Sequence, residues 1–251
     1  MPGTAIHDRG WALFLDVDGT LLEIAPTPQA VHVPESLKLL LNTLCVRLDG
    51  ALALISGRSI ENLDQLFAPH RYCASGVHGC ERRVASGAML RPEISARSLA
   101  TARSALTAFV QAREGLLLED KGYGLAVHFR LAPHLHDEVH EQMAVMLQHL
   151  GPDFRLQAGK FVFEIRPAHW SKGTSVSAFM QEPPFLDRRP VFIGDDVTDE
   201  DAFGAVNALD GVSVRVGEAS NTIAKYRLAG VAAVHRWLTT FPPPEFAALG
   251  P

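Results

Sequence analysis

The chain has little cysteine. Cys45, Cys73 and Cys80 form no CxxC pair and no zinc-finger spacing. Three thiols cannot make a disulfide framework, and so sparse a set points to a reducing compartment. Each reads as a small apolar side chain. No apolar run reaches the 18 or so residues of a membrane-spanning helix. Residues 1–10 lack the basic start and apolar centre of a secretory signal, so the cytoplasm is the expected location. Basic residues are not in surplus: 23 Lys and Arg stand against 28 Asp and Glu, for a net charge of -5. A nucleic-acid binder would show a basic excess or patch. Neither nucleic acid nor membrane is expected as a partner, and an anionic substrate would need a local cation. There is no Walker loop, no G-x-S-x-G elbow and no dinucleotide fingerprint. His136 and His140 are spaced for a metal on one helix face. No acidic third ligand joins them, and they read as an exposed face. Internal repeats, low-complexity segments and an interface signature are also lacking, so a monomer is expected.

What is present is an ordinary globular composition, 47% hydrophobic and 20% charged over 251 residues. That supports one or two domains with a sizeable core. Strand-like and helix-like segments alternate. Residues 11–15 (Trp-Ala-Leu-Phe-Leu) are apolar on both faces, as central strands of parallel sheets are. A proline-punctuated extended stretch, 26–34, precedes a helix over 35–46 with Leu37, Leu40, Leu41 and Leu44 on one face. Residues 51–55 form a second buried strand, and Ser59 caps a short helix through Leu66. This order predicts a parallel sheet with helices on its faces.

From about residue 85 the pattern changes. Helices are expected over 95–113 and 133–150. Between and after them lie strands that alternate with period two. In 116–121, Leu116 and Leu118 oppose Glu119 and Lys121. In 124–130, Leu125, Val127 and Phe129 oppose His128 and Arg130. In 160–166, Phe161, Phe163 and Ile165 oppose Lys160, Glu164 and Arg166. Such strands are half-buried and antiparallel. One face packs on two helices, while the other carries Lys, His, Arg and Glu. The first pattern resumes with a helix over 172–180, a strand at 191–193, a helix over 202–209, and strands at 212–216 and 231–234. The tail from Phe241 reads as irregular. The expectation is an α/β fold: a doubly wound parallel sheet from 1–84 and 169–251, with an α+β domain, 85–168, inserted in it.

Four short motifs stand at strand ends or helix starts: Asp16-x-Asp18-Gly19-Thr20, Ser56-Gly57-Arg58, Lys172, and Gly194-Asp195-Asp196-Val197-Thr198-Asp199-Glu200-Asp201. Ligands bind at this edge of open α/β sheets. One carboxylate can attack phosphorus to give an aspartyl-phosphate, and a second can supply and remove protons. Taken singly, each motif has an ordinary explanation: Asp-Gly makes turns, Ser-Gly-Arg can be a turn and cap, and a lone Lys is usually solvated. Glu200 and Asp201 suit a helix N-terminus. The order and placement of all four are far more specific.

In that combination the chain resembles the haloacid dehalogenase superfamily of phosphotransferases, and the insertion between the second and third motifs matches members with a large α+β cap. The resemblance implies that Asp16 is the nucleophile and Asp18 the general acid and base. It implies Mg²⁺ held by the Asp16 carboxylate, the Asp18 carbonyl and Asp195, with Asp199 second shell or bridged through water. Ser56 and Lys172 would grip the phosphoryl oxygens, Lys172 as a point charge. Leu118-Glu119-Asp120-Lys121, His128-Phe129-Arg130, Gly159-Lys160 and Glu164-Ile165-Arg166-Pro167 are similar to one branch, the trehalose-6-phosphate phosphatases. Gly76-Val77-His78-Gly79 and the segment from Gly194 to Glu200 also fit it. The likeness spans residues 11–235 and implies a small-molecule sugar phosphate as substrate. Gly57, Arg58, His78, Lys121, His128, Arg130, Lys160 and Glu164 would contact that substrate, and the cap would close over the site and exclude water. Lys121 is the least specific of these, because Asp120 beside it can pair locally, and Arg166 is read as structural. Without the resemblance the same side chains would read as a solvated sheet face with cross-strand ion pairs. Two rivals remain at this stage. One is the same chemistry on a sucrose or mannosylglycerate phosphate. The other is a non-catalytic sugar-phosphate sensor, which would be expected to have lost Asp16 or Asp18.

Overall fold

The computed structural model describes residues 10–24, 31–91, 96–159, 161–218 and 221–242. It divides into two compact units, residues 1–91 with 171–251, and residues 92–170. The sequence had placed these junctions at 84/85 and 168/169. The first one moves because two short strands past residue 80 pair with the large sheet.

In chain order the first unit begins with β1 (Trp11–Leu15), α1 (Glu35–Arg47), β2 (Leu52–Ile55), α2 (Ile60–Phe67), β3 (Cys73–Gly76), β4 (Glu81–Arg83) and β5 (Met89–Leu90). The second holds α3 (Ala96–Gln111), β6 (Leu117–Asp120), β7 (Leu125–His128), α4 (His136–Leu150), β8 (Phe154–Gly159) and β9 (Val162–Pro167). The first unit resumes with α5 (Lys172–Phe179), β10 (Arg189–Gly194), α6 (Glu200–Ala208), β11 (Val212–Val216), β12 (Tyr226–Leu228) and α7 (Val231–Thr239).

The eight-stranded sheet runs β12-β11-β10-β1-β2-β3-β4-β5. It is parallel from β12 to β3 and antiparallel at β4 and β5. The chain leaves β1 toward β2 on one side and later returns to build β10 and β11 on the other. The β1/β10 junction is therefore the point where strand order reverses, the usual ligand crevice of such sheets. β1, β2 and β11 are buried along their whole length; β1 and β2 therefore read as unbroken apolar runs, whereas β11 also buries Ser213 and Arg215. Phe14 stacks on Phe185, with ring centroids 5.2 Å apart, and both touch Phe179. Each such pair adds about 0.5–1.5 kcal/mol to the burial of its area.

One expectation fails outright. Residues 231–234 are not a strand but the first turn of α7. Four residues of Val-Ala-Ala-Val suit either structure. The continuation decides it, because Val231, Val234 and Leu238 recur at helical spacing and are all buried. The real edge strand, β12, is three residues long and half-exposed.

The second unit is a four-stranded antiparallel sheet, β6-β7-β9-β8. Leu125, Val127, Phe129, Phe163 and Ile165 pack with Leu99 and Leu106 of α3 and Val139 and Met143 of α4. β8 escaped the sequence reading although Phe154, Leu156 and Ala158 alternate with Arg155 and Gln157, because the run is short and ends in the small Ala158 and Gly159. Two further details differ. Phe161, expected on the apolar face of β9, lies before the strand with φ +60° and is 38% exposed. Its carbonyl accepts from the Phe129 amide at 2.9 Å. Arg130 lies past the end of β7, exposed in a turn, because the chain bends there toward a 3-10 turn at Pro133–Leu135.

Candidate active site

Asp16 follows β1 directly. Its amide donates to the Ile193 carbonyl of β10 at 3.0 Å, so the sheet ladder itself fixes the residue. Asp195 follows β10 in the same way. Lys172 is the first residue of α5, whose N-terminus is closed by a reciprocal cap between Ser171 and Thr174. The Lys172 Nζ donates to Asp16 Oδ1 at 2.7 Å and to Asp199 Oδ1 at 2.6 Å. It is 3% exposed. An ammonium so deep is tolerable only because two carboxylates meet it.

Asp16, Asp195 and Asp199 each bring a carboxylate oxygen within 4.8 Å of the others. Asp199 is fully buried. Its second oxygen accepts from the Asp196 amide at 2.9 Å, closing the turn before α6. Burial pushes the Asp16 carboxyl well above the usual carboxylate range; Lys172 pulls it down and the Asp199 charge adds to the rise. Asp195 is pushed up to about 6, by burial first and then by the Asp199 charge. For Lys172, burial alone would lower the ammonium, but the charges of Asp16 and Asp199 outweigh it and hold it well above the usual lysine range. Three ionised carboxylates against one ammonium leave two negative charges, the charge of one divalent cation. All-oxygen donors suit a hard cation, so the residues present fit such an ion.

Glycine is required beside this cluster. Gly19 has φ +81°, and a Cβ there would stand 2.0 Å from Asp195 Oδ2. A Cβ at Gly194 would stand 2.4 Å from the Asp199 carboxyl carbon. The glycines of two motifs thus let the acids of the fourth approach the backbone.

The second motif lies at the end of β2. Ser56 is buried, its amide donates to Ser75 O at 2.8 Å, and its Oγ accepts from the Arg58 amide at 3.1 Å. The Arg58 side chain reaches Asp18, with Nε on Oδ2 and a terminal nitrogen on Oδ1, both at 2.6 Å. The His78 ring lies over Gly57, where a Cβ would meet it at 2.7 Å. Asp16, Asp18, Ser56, Gly57, Arg58, His78, Lys172, Asp195 and Asp199 all belong to the first unit. Sequence reasoning missed Asn62, which accepts from Arg58 at 2.7 Å. Its spacing of four from Arg58 was the available signal. It also missed Thr20, whose hydroxyl lies 3.5 Å from Asp195 Oδ1.

The remaining sequence candidates lie in the second unit. Register puts Glu119, Ala126, Glu164 and Gln157 in one row across the sheet, and Leu117, His128, Val162 and Gly159 in the next. Lys121 Nζ pairs with Glu164 Oε2 at 2.7 Å, and His128 Nε2 with Glu119 Oε2 at 2.8 Å. Asp120 pairs locally, with Arg103 of α3. Lys160 lies outside the described residues.

The family model described as Trehalose-phosphatase matches residues 14–232. The chain belongs to the trehalose-phosphatase family. A probable trehalose-phosphate phosphatase of Sinorhizobium fredii is 47% identical over 207 residues, 82% of this chain and 78% of that protein. The trehalose-6-phosphate phosphatase of Escherichia coli is 45% identical over 231 residues, 91% of this chain and 85% of that one. A crystal structure of a trehalose-6-phosphate phosphatase related protein superposes with a TM-score of 0.71 at 25% identity, covering 95% of this chain and 98% of that one. The haloacid dehalogenase fold is shared more widely: a haloacid dehalogenase-like hydrolase from B. subtilis, 14% identical, superposes with a TM-score of 0.65. Members of the trehalose-phosphatase family thus resemble this chain across both units.

Proposed function

We propose that this chain hydrolyses trehalose 6-phosphate to trehalose and phosphate, with Mg²⁺ as cofactor, as a cytoplasmic monomer. The observation that carries the chemistry is the cluster at the β1/β10 junction, where Asp16, Asp195 and Asp199 converge around Lys172. Membership of the trehalose-phosphatase family carries the substrate.

In this reading one Asp16 oxygen stays on Lys172 and the other attacks phosphorus. The Asp16 O–P bond forms as the bond from phosphorus to the sugar oxygen breaks, and Asp18 gives its proton to that leaving oxygen. Water then attacks the aspartyl-phosphate, Asp18 takes the proton, and phosphate departs from Asp16. Phosphoryl transfer needs in-line placement and charge neutralisation more than covalent help. Ser56 and Lys172 hold phosphoryl oxygens, and Gly57 and His78 border them. Asp16, Asp195 and the Asp18 carbonyl would hold the cation, with Asp199 beside them in the second shell or bridged through water, and when bound it would supply further positive charge at the phosphoryl group. The sheet face bearing Lys121, His128, Arg130, Lys160 and Glu164 supplies donors and acceptors for sugar hydroxyls, and 85–168 is the specificity domain.

The test is phosphate release from trehalose 6-phosphate, glucose 6-phosphate, sucrose 6-phosphate and para-nitrophenyl phosphate, with and without Mg²⁺. We expect a metal-dependent preference for trehalose 6-phosphate, lost by about three orders of magnitude or more in Asp16→Asn. Equal slow turnover of all four would discard the substrate, and turnover by Asp16→Asn would discard the nucleophile.

A further inference from the structure

We infer that Ser75 and Gly79 are positioning residues: the end of β3 and the turn after it form a brace that sets the spacing between Ser56 and Lys172. The inference rests on the proposed role of those two as grips for the phosphoryl oxygens. The turn has an uncommon backbone. Val77, His78 and Gly79 have φ of +48°, +52° and +112°, three left-handed residues in succession. For a β-branched residue such as Val77 that conformation is a clear outlier. Such strain persists only where the surroundings over-determine it.

The surroundings here are two of the motifs. On one side, the Val77 amide donates to the Arg58 carbonyl at 2.9 Å and the His78 amide to the Ser56 carbonyl at 3.1 Å. Just before the turn, the Ser75 carbonyl accepts from the Ser56 amide at 2.8 Å. Both main-chain polar groups of Ser56 are thus held by residues 75–78. On the other side, the buried hydroxyls of Ser75 and Ser175 meet at 2.8 Å, and Ser175 lies one turn beyond Lys172 on α5. Gly79 rests against the backbone of Ser171, the N-cap of α5. A Cβ at Gly79 would stand 2.6 Å from the Ser171 carbonyl oxygen and 2.8 Å from its amide nitrogen. A turn that merely joined β3 to the antiparallel β4 would need neither link. Here the amides of Val77 and His78 leave the hairpin for another loop, and the chain accepts an unfavourable backbone to send them there. One short segment therefore holds the residue that makes one grip and the helix start that carries the other. Misplacing such a group by about 1 Å can cost on the order of a hundredfold in rate.

The test measures inhibition by orthovanadate beside kcat/KM. Vanadate takes up the five-coordinate geometry of phosphoryl transfer, so its affinity reports how well the grips are spaced for the transition state. Gly79→Ala should lose about a hundredfold in kcat/KM, alike on trehalose 6-phosphate and para-nitrophenyl phosphate, because both present the same phosphoryl group. Its vanadate inhibition constant should rise by the same factor, while Mg²⁺ still raises the melting temperature. Ser75→Ala is milder, since Ser175 keeps its bond to the Ser171 carbonyl. It should lose about three- to tenfold in both readouts, and it decides the matter if Gly79→Ala folds poorly. A lower melting temperature with unchanged vanadate affinity would make the turn merely structural and overturn the proposal. A loss confined to the sugar substrate would overturn it too, as would loss of the Mg²⁺ stabilisation, which would put the damage in the carboxylate cluster. Ser56→Ala is measured alongside. If it leaves vanadate affinity unchanged, the gripping role fails and takes the proposal with it. If it weakens vanadate and neither Gly79→Ala nor Ser75→Ala does, the proposal alone fails.

Discussion

The two units of this protein use charge in opposite ways. In the large unit, Lys172 sits 3% exposed between Asp16 and Asp199. In the small unit, Lys121 meets Glu164 and His128 meets Glu119 with both partners more open to water. The first arrangement is stable only as a set. Removing one member strands the others in a dry site, at a cost of about 3–5 kcal/mol. The exposed His128–Glu119 pair can exchange its partners for water or for the hydroxyls of a ligand at little cost. The difference suits the work proposed for each. Phosphoryl chemistry needs fixed charge, while sugar recognition needs polar groups that can be given up to a newcomer.

The comparison breaks most severely at Lys172. Lys172→Met should lower unfolding stability by about 3–5 kcal/mol in urea titration and abolish phosphate release. A loss of activity with unchanged stability would mean that the carboxylates had already protonated or found another cation. Gly19→Ala comes next. Its Cβ would overlap Asp195, and the backbone is left-handed there, which costs about 1–2 kcal/mol for a side chain. The specific expectation is that Mg²⁺ no longer raises the melting temperature. In the unaltered protein, a concentration a hundred times the dissociation constant should stabilise by about 2.7 kcal/mol. Retained metal stabilisation in Gly19→Ala would show that Asp195 is dispensable to the cation site.

Glu164→Gln tests the other side. It should cost about 1–3 kcal/mol of stability, since Glu164 is buried beside Lys121, and leave para-nitrophenyl phosphate turnover unchanged. Its kcat/KM on trehalose 6-phosphate should fall about tenfold or more, the cost of about one charged hydrogen bond. Equal losses on both substrates would move Glu164 from sugar recognition to general stability.

The same contrast explains what the sequence disclosed. β1, β2 and β10 are buried on both faces, so their unbroken apolar runs announced a parallel sheet, and the acids just beyond Leu15 and Gly194 fell at its ligand edge. Ser59 announced its helix because a cap is a local chemical fact, and the structure has its Oγ on the Asn62 amide. What could not be read was non-local or weakly patterned. Val231 to Val234 is too short to carry a period. β8 alternates through Phe154, Leu156 and Ala158 but is short and ends in small residues. β4 and β5 are two or three residues long and gain their form from pairing alone. The partner of Arg58 lies 40 positions away, and neither motif hints that it would meet the other.

The smallest effect concerns charge in the large unit away from the cluster. Asp64 of α2 accepts from Arg83 at 2.7 Å and from Arg71 at 2.8 Å. Burial alone would raise its carboxyl, but the hydrogen bonds and charges of the two arginines outweigh it and hold it below the ordinary value. A depressed folded value means the unfolded chain binds the proton more readily. The contribution is therefore present above the unfolded value and fades as pH falls through the folded one. Asp64→Asn should cost about 0.5–1 kcal/mol at pH 7 and converge on the unaltered protein as the pH is lowered below the carboxylate range. Chemical denaturation at two pH values measures this. The exposed pair of Arg113 and Glu138 in the small unit sets the baseline, with Glu138→Gln costing less than about 0.5 kcal/mol. If Asp64→Asn cost as much as Lys172→Met, depth within the large unit would not be what separates structural charge from catalytic charge, and the contrast between the two units would fail.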